Sequence, residues 1–330
     1  MEREIKLISG ANRNGLLLVA AITAISYLIS QQFSFISPLT IGLISALLLS
    51  NIINLPQSFA PGALFASKTL MRAGIVLIGL RISYDQITEV GIPGLILVVT
   101  VVVGTFFGAL ALGKFSKVSS NTSILIGAGF SICGNTAIAA ISPAINAKRE
   151  ETAYAVGLVT LFGTISIAVL PALGTVLGLT EARFGAWAGA AVHDVGQVVA
   201  TAEVIGGGAL AVAVIIKLTR MLLLAPMLIA ISAKFNASAT TKLRSVIPVF
   251  ILLFIAVVTI NSLMELPANL VDYGKTASTL LLTAGITGMG LGVKWKSLTQ
   301  VGGKPLLVAI ITWIIVAAGS LGLIVLLNVA

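Results

Sequence analysis

A chain of 330 residues that is 58% hydrophobic and 9% charged, with a mean hydropathy of +1.10, is excluded from the soluble globular class. Its formal charge of +9 would suit a nucleic-acid binder, but the lysines and arginines sit in short connections between apolar runs, as in the cytoplasmic loops of membrane proteins. One cysteine, Cys133, and one histidine, His193, exclude an internal disulfide and a Cys- or His-built metal site, so no metal or other cofactor is expected.

In chain order, apolar runs fall near 16–35, 38–54, 68–82, 91–112, 122–146, 152–177, 183–205, 209–232, 245–263, 276–292 and 305–328. A bilayer core of roughly 30 Å asks for about 17–25 such residues per helix. The runs are continuously apolar rather than alternating, which selects helices over a barrel. The expectation is an all-α polytopic membrane protein, a single transport domain over 1–330 with nine to eleven transmembrane segments. The first run is read as a helix and not a signal peptide, because Tyr27-Leu28-Ile29-Ser30 lacks a small-residue cleavage pattern.

The fifth and seventh runs are interrupted. Ser131-Ile132-Cys133-Gly134-Asn135-Thr136 and Val192-His193-Asp194-Val195-Gly196-Gln197 place polar residues where a lipid-facing helix has no use for them. Non-helical backbone at membrane depth survives only inside protein or against a watery cavity. At the first break, Asn135 is a good helix N-cap, and the free N–H groups of the half-helix that follows would face an anion. The sequence therefore contains two discontinuous or re-entrant helix elements, within the break-containing segments 122–177 and 183–232.

Two internal matches support that reading. In the segments 36–94 and 246–306, Pro38, Asn51, Pro56, Gly74, Gly79 and Tyr84 recur as Pro248, Asn261, Pro267, Gly285, Gly290 and Trp295, at an offset of 210 that becomes 211. A weaker match joins Gly127, Ala128 and Gly134-Asn135 to Gly189, Ala190 and Gly196-Gln197. If 122–146 and 183–205 return to their own side, an odd number of crossings separates each pair, and both become inverted-topology repeats. That arrangement, with a cytoplasmic N-terminus, also gathers Arg3, Lys6, Arg13, Lys114, Lys117, Lys148, Arg149, Lys234, Lys242 and Arg244 on the inner side.

Few ionisable residues lie inside the runs: Arg72, His193, Asp194, Glu203, Lys217 and Arg220. Lys217 and Arg220 are three apart on one helix face, as counter-charge for an anion or as ion-pair partners of Asp194 and Glu203. The substrate-binding candidates are Ser131, Cys133, Gly134, Asn135, Thr136, Gly196, Gln197, Lys217 and Arg220, and the proton-coupling candidates are His193, Asp194 and Glu203. Cys133 reads as a small packing residue. A Ser131–His193–Asp194 hydrolase is not expected, because adjacent His and Asp diverge and no oxyanion motif accompanies them.

The blocks GAGFSICGNTAIAAISPAINAKREETAYAVGLVTLFGTISIAVLPAL and WAGAAVHDVGQVVATA resemble the YeiH-type family of bacterial inner-membrane proteins, labelled sulfate exporters. The resemblance runs from about Pro38 to the last helix. It implies a place in the superfamily of cation–proton antiporters and anion transporters, with a panel domain, a core domain and two discontinuous helices. By the same resemblance the blocks carry over as Cys133, Gly134, Asn135 and Thr136, and as His193, Asp194 and Gln197.

The expected function is secondary transport of a small anion, sulfate or an organosulfur anion, across the bacterial inner membrane by alternating access, with coupling to H⁺ or Na⁺. The alternative is a cation–proton antiporter using Asp194 and Glu203. No enzyme activity is expected. The expected partners are the solute, the coupling ion and the lipid bilayer, with a homodimer allowed and no nucleic acid.

Overall fold

The computed structural model describes residues 13–32, 37–235, 248–264, 266–293 and 303–329. The described residues form helices and turns, with no strand among them. In chain order the helices are α1 (Arg13–Gln32), α2 (Pro38–Ile52), α3 (Gln57–Arg81), α4 (Tyr84–Phe115), α5 (Ser120–Ser131), α6 (Asn135–Ala144), α7 (Arg149–Val176), α8 (Glu181–Ala191), α9 (Val195–Glu203), α10 (Gly207–Leu222), α11 (Leu224–Lys234), α12 (Val249–Leu263), α13 (Ala268–Gly292) and α14 (Lys304–Leu327).

Local chemistry sets many of the boundaries. Ser37 caps α2 by accepting from Leu39 N (3.2 Å), with Pro38 in the first turn. In α4, Gly91 leaves helical geometry at φ +42 just ahead of Pro93. By length and apolarity, six stretches of described helix can cross a membrane (α1, α3, most of α4, α7, the α10–α11 run and α14), and α2 and α12 are shorter apolar helices. The apolar run at 276–292 proves to be the latter part of α13, which begins earlier and carries an Asp272–Lys275 ion pair (3.3 Å) in its first turns. The expected Trp295 match, and Arg3, Lys6, Lys242 and Arg244, lie outside the described residues.

The described residues divide into two compact units, one drawn from 1–84 and 249–295, the other from 85–248 and 296–330. In the first unit α13 packs against α1, α2 and α3, and α12 against α3. Its buried face is built of small and hydroxyl residues (Gly274, Ser278, Thr283, Gly285, Thr287, Gly288), which let helix backbones approach closely. The contacts here are reciprocal. Asn51 Nδ2 donates to the Val293 carbonyl (3.0 Å), and Asn261 Nδ2 donates to the Ile82 carbonyl (3.1 Å). A β-carbon on Gly74 would meet Leu282, and one on Gly285 would meet Met71. Asn51 and Asn261 are matched at the 210 offset, and Ile82 with Val293 and Met71 with Leu282 at the 211 offset.

The second unit holds α5 to α11, α14 and nearly all of α4. Its frame is α7, 28 residues and about 42 Å long. At the start of α7, Glu151 accepts from Ser119 Oγ (2.6 Å), just ahead of α5, and from Asn121 Nδ2 (3.4 Å). The α5–α6 element thus ends beside its own beginning, and Lys148-Arg149 return to the end of the unit that α5 leaves. Beyond the far end of α7, Glu181 opens α8 and accepts from Gly208 N (2.9 Å) at the start of α10. The α8–α9 element closes on itself in the same way. One glutamate ties each neck, and α7 holds the two necks apart.

Candidate functional site

Each turned-back element has its non-helical residues at the tip. In the first, α5 ends at Ser131, Ile132 sits at φ −117 and ψ −89, and α6 starts at Asn135. Gly134 occupies the N-cap position at φ +61, a conformation that favours glycine. This corrects the expectation that Asn135 is the cap, since Asn135 is the first helical residue and α6 has no side-chain cap bond. In the second tip, α8 ends at Ala191 and Val192 is extended. Asp194 caps α9, its Oδ2 accepting from Gly196 N (3.0 Å), and Gln197 completes a capping box by accepting from Asp194 N (3.4 Å).

The tips meet. A β-carbon on Gly134 would lie 3.5 Å from the His193 carbonyl group, and the Phe130 and His193 rings are 4.2 Å apart, centroid to centroid. His193 is fully buried. The two amides expected to work together share one residue of α7. Asn135 Nδ2 reaches Thr160 Oγ1 (3.5 Å), and Gln197 Nε2 donates to the Thr160 carbonyl (3.2 Å) and Thr164 Oγ1 (3.4 Å). Asn135 and Thr136 remain partly accessible, and Asn135 Oδ1 has no partner among the described residues.

Behind the tips lie Lys217 and Arg220 of α10, both with zero exposure. Lys217 Nζ donates to the carbonyls of Ile132 (2.6 Å) and Val192 (2.9 Å). Arg220 takes the carbonyls of Phe130 (2.9 Å) and Ser131 (2.6 and 3.0 Å) from one tip. From the other it takes Gly189 (2.9 Å), Ala190 and Val192 (3.3 Å). The last carbonyls of a helix have no partner within it and carry its negative dipole end. Two cations therefore join two helix C-termini. Among the described residues both side chains donate to backbone carbonyls.

The remaining candidates separate. Cys133 is buried at the first tip, and Ser131 Oγ bonds back to the Ala128 carbonyl (3.3 Å). Gly196 is buried in the first turn of α9. Glu203 ends α9, roughly 12 Å of helix from the tip. Three site residues were missed: Thr160, Gly163 and Thr164. A β-carbon on Gly163 would overlap the Gln197 carboxamide. Their signal was the T-x-x-G-T spacing in α7, which puts three small residues on one face.

Comparison with known proteins finds bacterial membrane proteins as relatives. The family model described as conserved hypothetical protein 698 matches residues 14–309. A UPF0324 membrane protein of Corynebacterium glutamicum is 40% identical over 299 residues, covering 89% of this chain and 87% of the relative. The UPF0324 inner membrane protein YeiH of Escherichia coli K12 is 37% identical over 300 residues, covering 88% and 86%. A UPF0324 membrane protein of Pseudomonas aeruginosa is 36% identical over 330 residues, covering 93% and 92%. The chain belongs to the conserved hypothetical protein 698 family, the UPF0324 membrane proteins that include YeiH.

Proposed function

We propose that the protein is a secondary transporter of a small anion, with sulfate or an organosulfur anion as the solute class, acting in the bacterial inner membrane with a cytoplasmic N-terminus. On this reading α5–α6 and α8–α9 are re-entrant elements entering from opposite faces, and the reciprocal contacts of the first unit mark an inverted repeat. Nine elements then cross: the six long stretches with α2, α12 and α13.

The observation that carries the proposal is an inequality between the two half-helix N-termini. Asp194 already supplies α9 with an anion, whereas α6 has no side-chain cap and presents partly accessible Asn135 and Thr136. Each helix end carries roughly half a charge, so the four ends at the tips cancel. Lys217 and Arg220 against Asp194 then leave about one net positive charge beside an open helix N-terminus, a field that favours a single anionic group. Asn135, Thr136, Gln197, Thr160 and Thr164 would orient the solute, and Lys217 and Arg220 would act through the field without touching it. Movement of the tips would open the site alternately to either face.

Thermal unfolding of the detergent-purified protein tests this, because a solute that binds the folded state raises its melting temperature. With choline as the only cation, sulfate or ethanesulfonate should raise the melting temperature saturably, and Asn135→Ala should abolish that rise. Stabilisation by Na⁺ or K⁺ chloride alone would refute the anion reading and favour cation–proton exchange at Asp194.

A further inference from the structure

The Lys217 ammonium has a setting that the anion reading does not require. The Ile132 and Val192 carbonyls stand just past the ends of α5 and α8, at 2.6 and 2.9 Å from Nζ. Both belong to unwound backbone, and both sit at negative dipole ends approaching from opposite directions. Carbonyl oxygens at broken helix ends are the usual ligands of alkali cations in transporters, where they replace the ion's hydration shell. The lysine reaches them from α10, a third element, and its ammonium is a compact point charge. Arg220, next on the same face, takes the carbonyls deeper in each tip and shares only that of Val192, at 3.3 Å against 2.9 Å for Lys217.

We propose that the Ile132–Val192 carbonyl pair is a monovalent-cation site that this chain keeps filled with its own ammonium. The tips are then held together without any free ion, and the wild-type protein needs neither Na⁺ nor K⁺ for its fold. Removing the side chain leaves the Ile132 and Val192 carbonyls without the ammonium and vacates the space it held. This deepens the transport reading by assigning the cation role to a tethered group, but the test does not depend on any anion.

The experiment compares wild type, Lys217→Ala and Lys217→Met by thermal unfolding in NaCl, KCl and choline chloride at equal ionic strength. Wild type should melt at one temperature in all three salts. Lys217→Ala should melt lower in choline chloride and recover at least half of that loss, saturably, in NaCl or KCl. Lys217→Met, whose apolar tail fills the space, should show no alkali response. A folded Lys217→Ala that responds to the three salts alike overturns the proposal. If Lys217→Ala does not survive extraction in choline chloride, its recovery as a monodisperse peak decides: recovery in an alkali salt supports the cation site, and loss in all three salts overturns it. The anion reading stands or falls separately, on the response of wild type to sulfate in choline buffer.

Discussion

Arg220→Ala is the perturbation whose magnitude the structure defines best. The guanidinium donates to the carbonyls of Phe130, Ser131, Gly189, Ala190 and Val192. Val192 keeps Lys217 as a second donor, so four carbonyls lose the guanidinium as their partner. A buried polar group left unsatisfied costs about 1–3 kcal/mol, which puts the loss at about 4 kcal/mol or more even at the low end. Domains have only about 5–15 kcal/mol in total, so this is a large fraction of the stability. At about 2–4 °C per kcal/mol, the melting temperature should fall by on the order of 10 °C. Lysine offers three donors and no planar fork, so Arg220→Lys should fall between wild type and alanine. Melting curves of the three proteins in the same detergent give the ranking. If Arg220→Ala melts within about 2 °C of wild type, the bonds do not hold the tips and the reasoning fails.

Gly163→Ala puts a methyl group where the Gln197 carboxamide lies, so Gln197 must leave Thr160 and Thr164. The expected result is a protein destabilised by about 1–3 kcal/mol whose melting temperature no longer responds to sulfate, and an intact response would remove Gln197 from the site. Glu151→Ala and Glu181→Ala each untie one neck, at about 1 kcal/mol because these groups are exposed. Hydrogen exchange should quicken at residues 119–122 in the first variant and near Gly208 in the second, each without the other. Thr160→Val removes the hydroxyl that Asn135 reaches while Gln197 keeps the Thr160 carbonyl. Sulfate affinity should therefore weaken with little change in melting temperature, as scans of both quantities would show.

Much of this was legible in the sequence because the signals are local. Gly134-Asn135-Thr136 and His193-Asp194 are polar words in apolar text, and chain breaks are found from such words. The Asn51–Asn261 match was legible for the same reason, since apolar drift does not align asparagines. The wrong cap at Asn135 arose because propensity favours asparagine at N-caps, while here the backbone needs a positive φ at the preceding residue. The roles of Lys217 and Arg220 were not legible, because their acceptors are carbonyls 25 to 90 residues away, and a carbonyl leaves no mark in the residue letters. Thr160, Gly163 and Thr164 were hidden because small residues in an apolar helix read as ordinary packing until a partner such as Gln197 is placed against them.

Solute counterflow in proteoliposomes tests the central claim most directly. Vesicles holding the wild-type protein and preloaded with unlabelled sulfate should accumulate ³⁵S-sulfate transiently from a choline medium. Vesicles holding Asn135→Ala, with a melting temperature near that of wild type, should not. Equal accumulation by both proteins, or none by wild type against every sulfate and sulfonate tried, would contradict an anion site at the open N-terminus of α6.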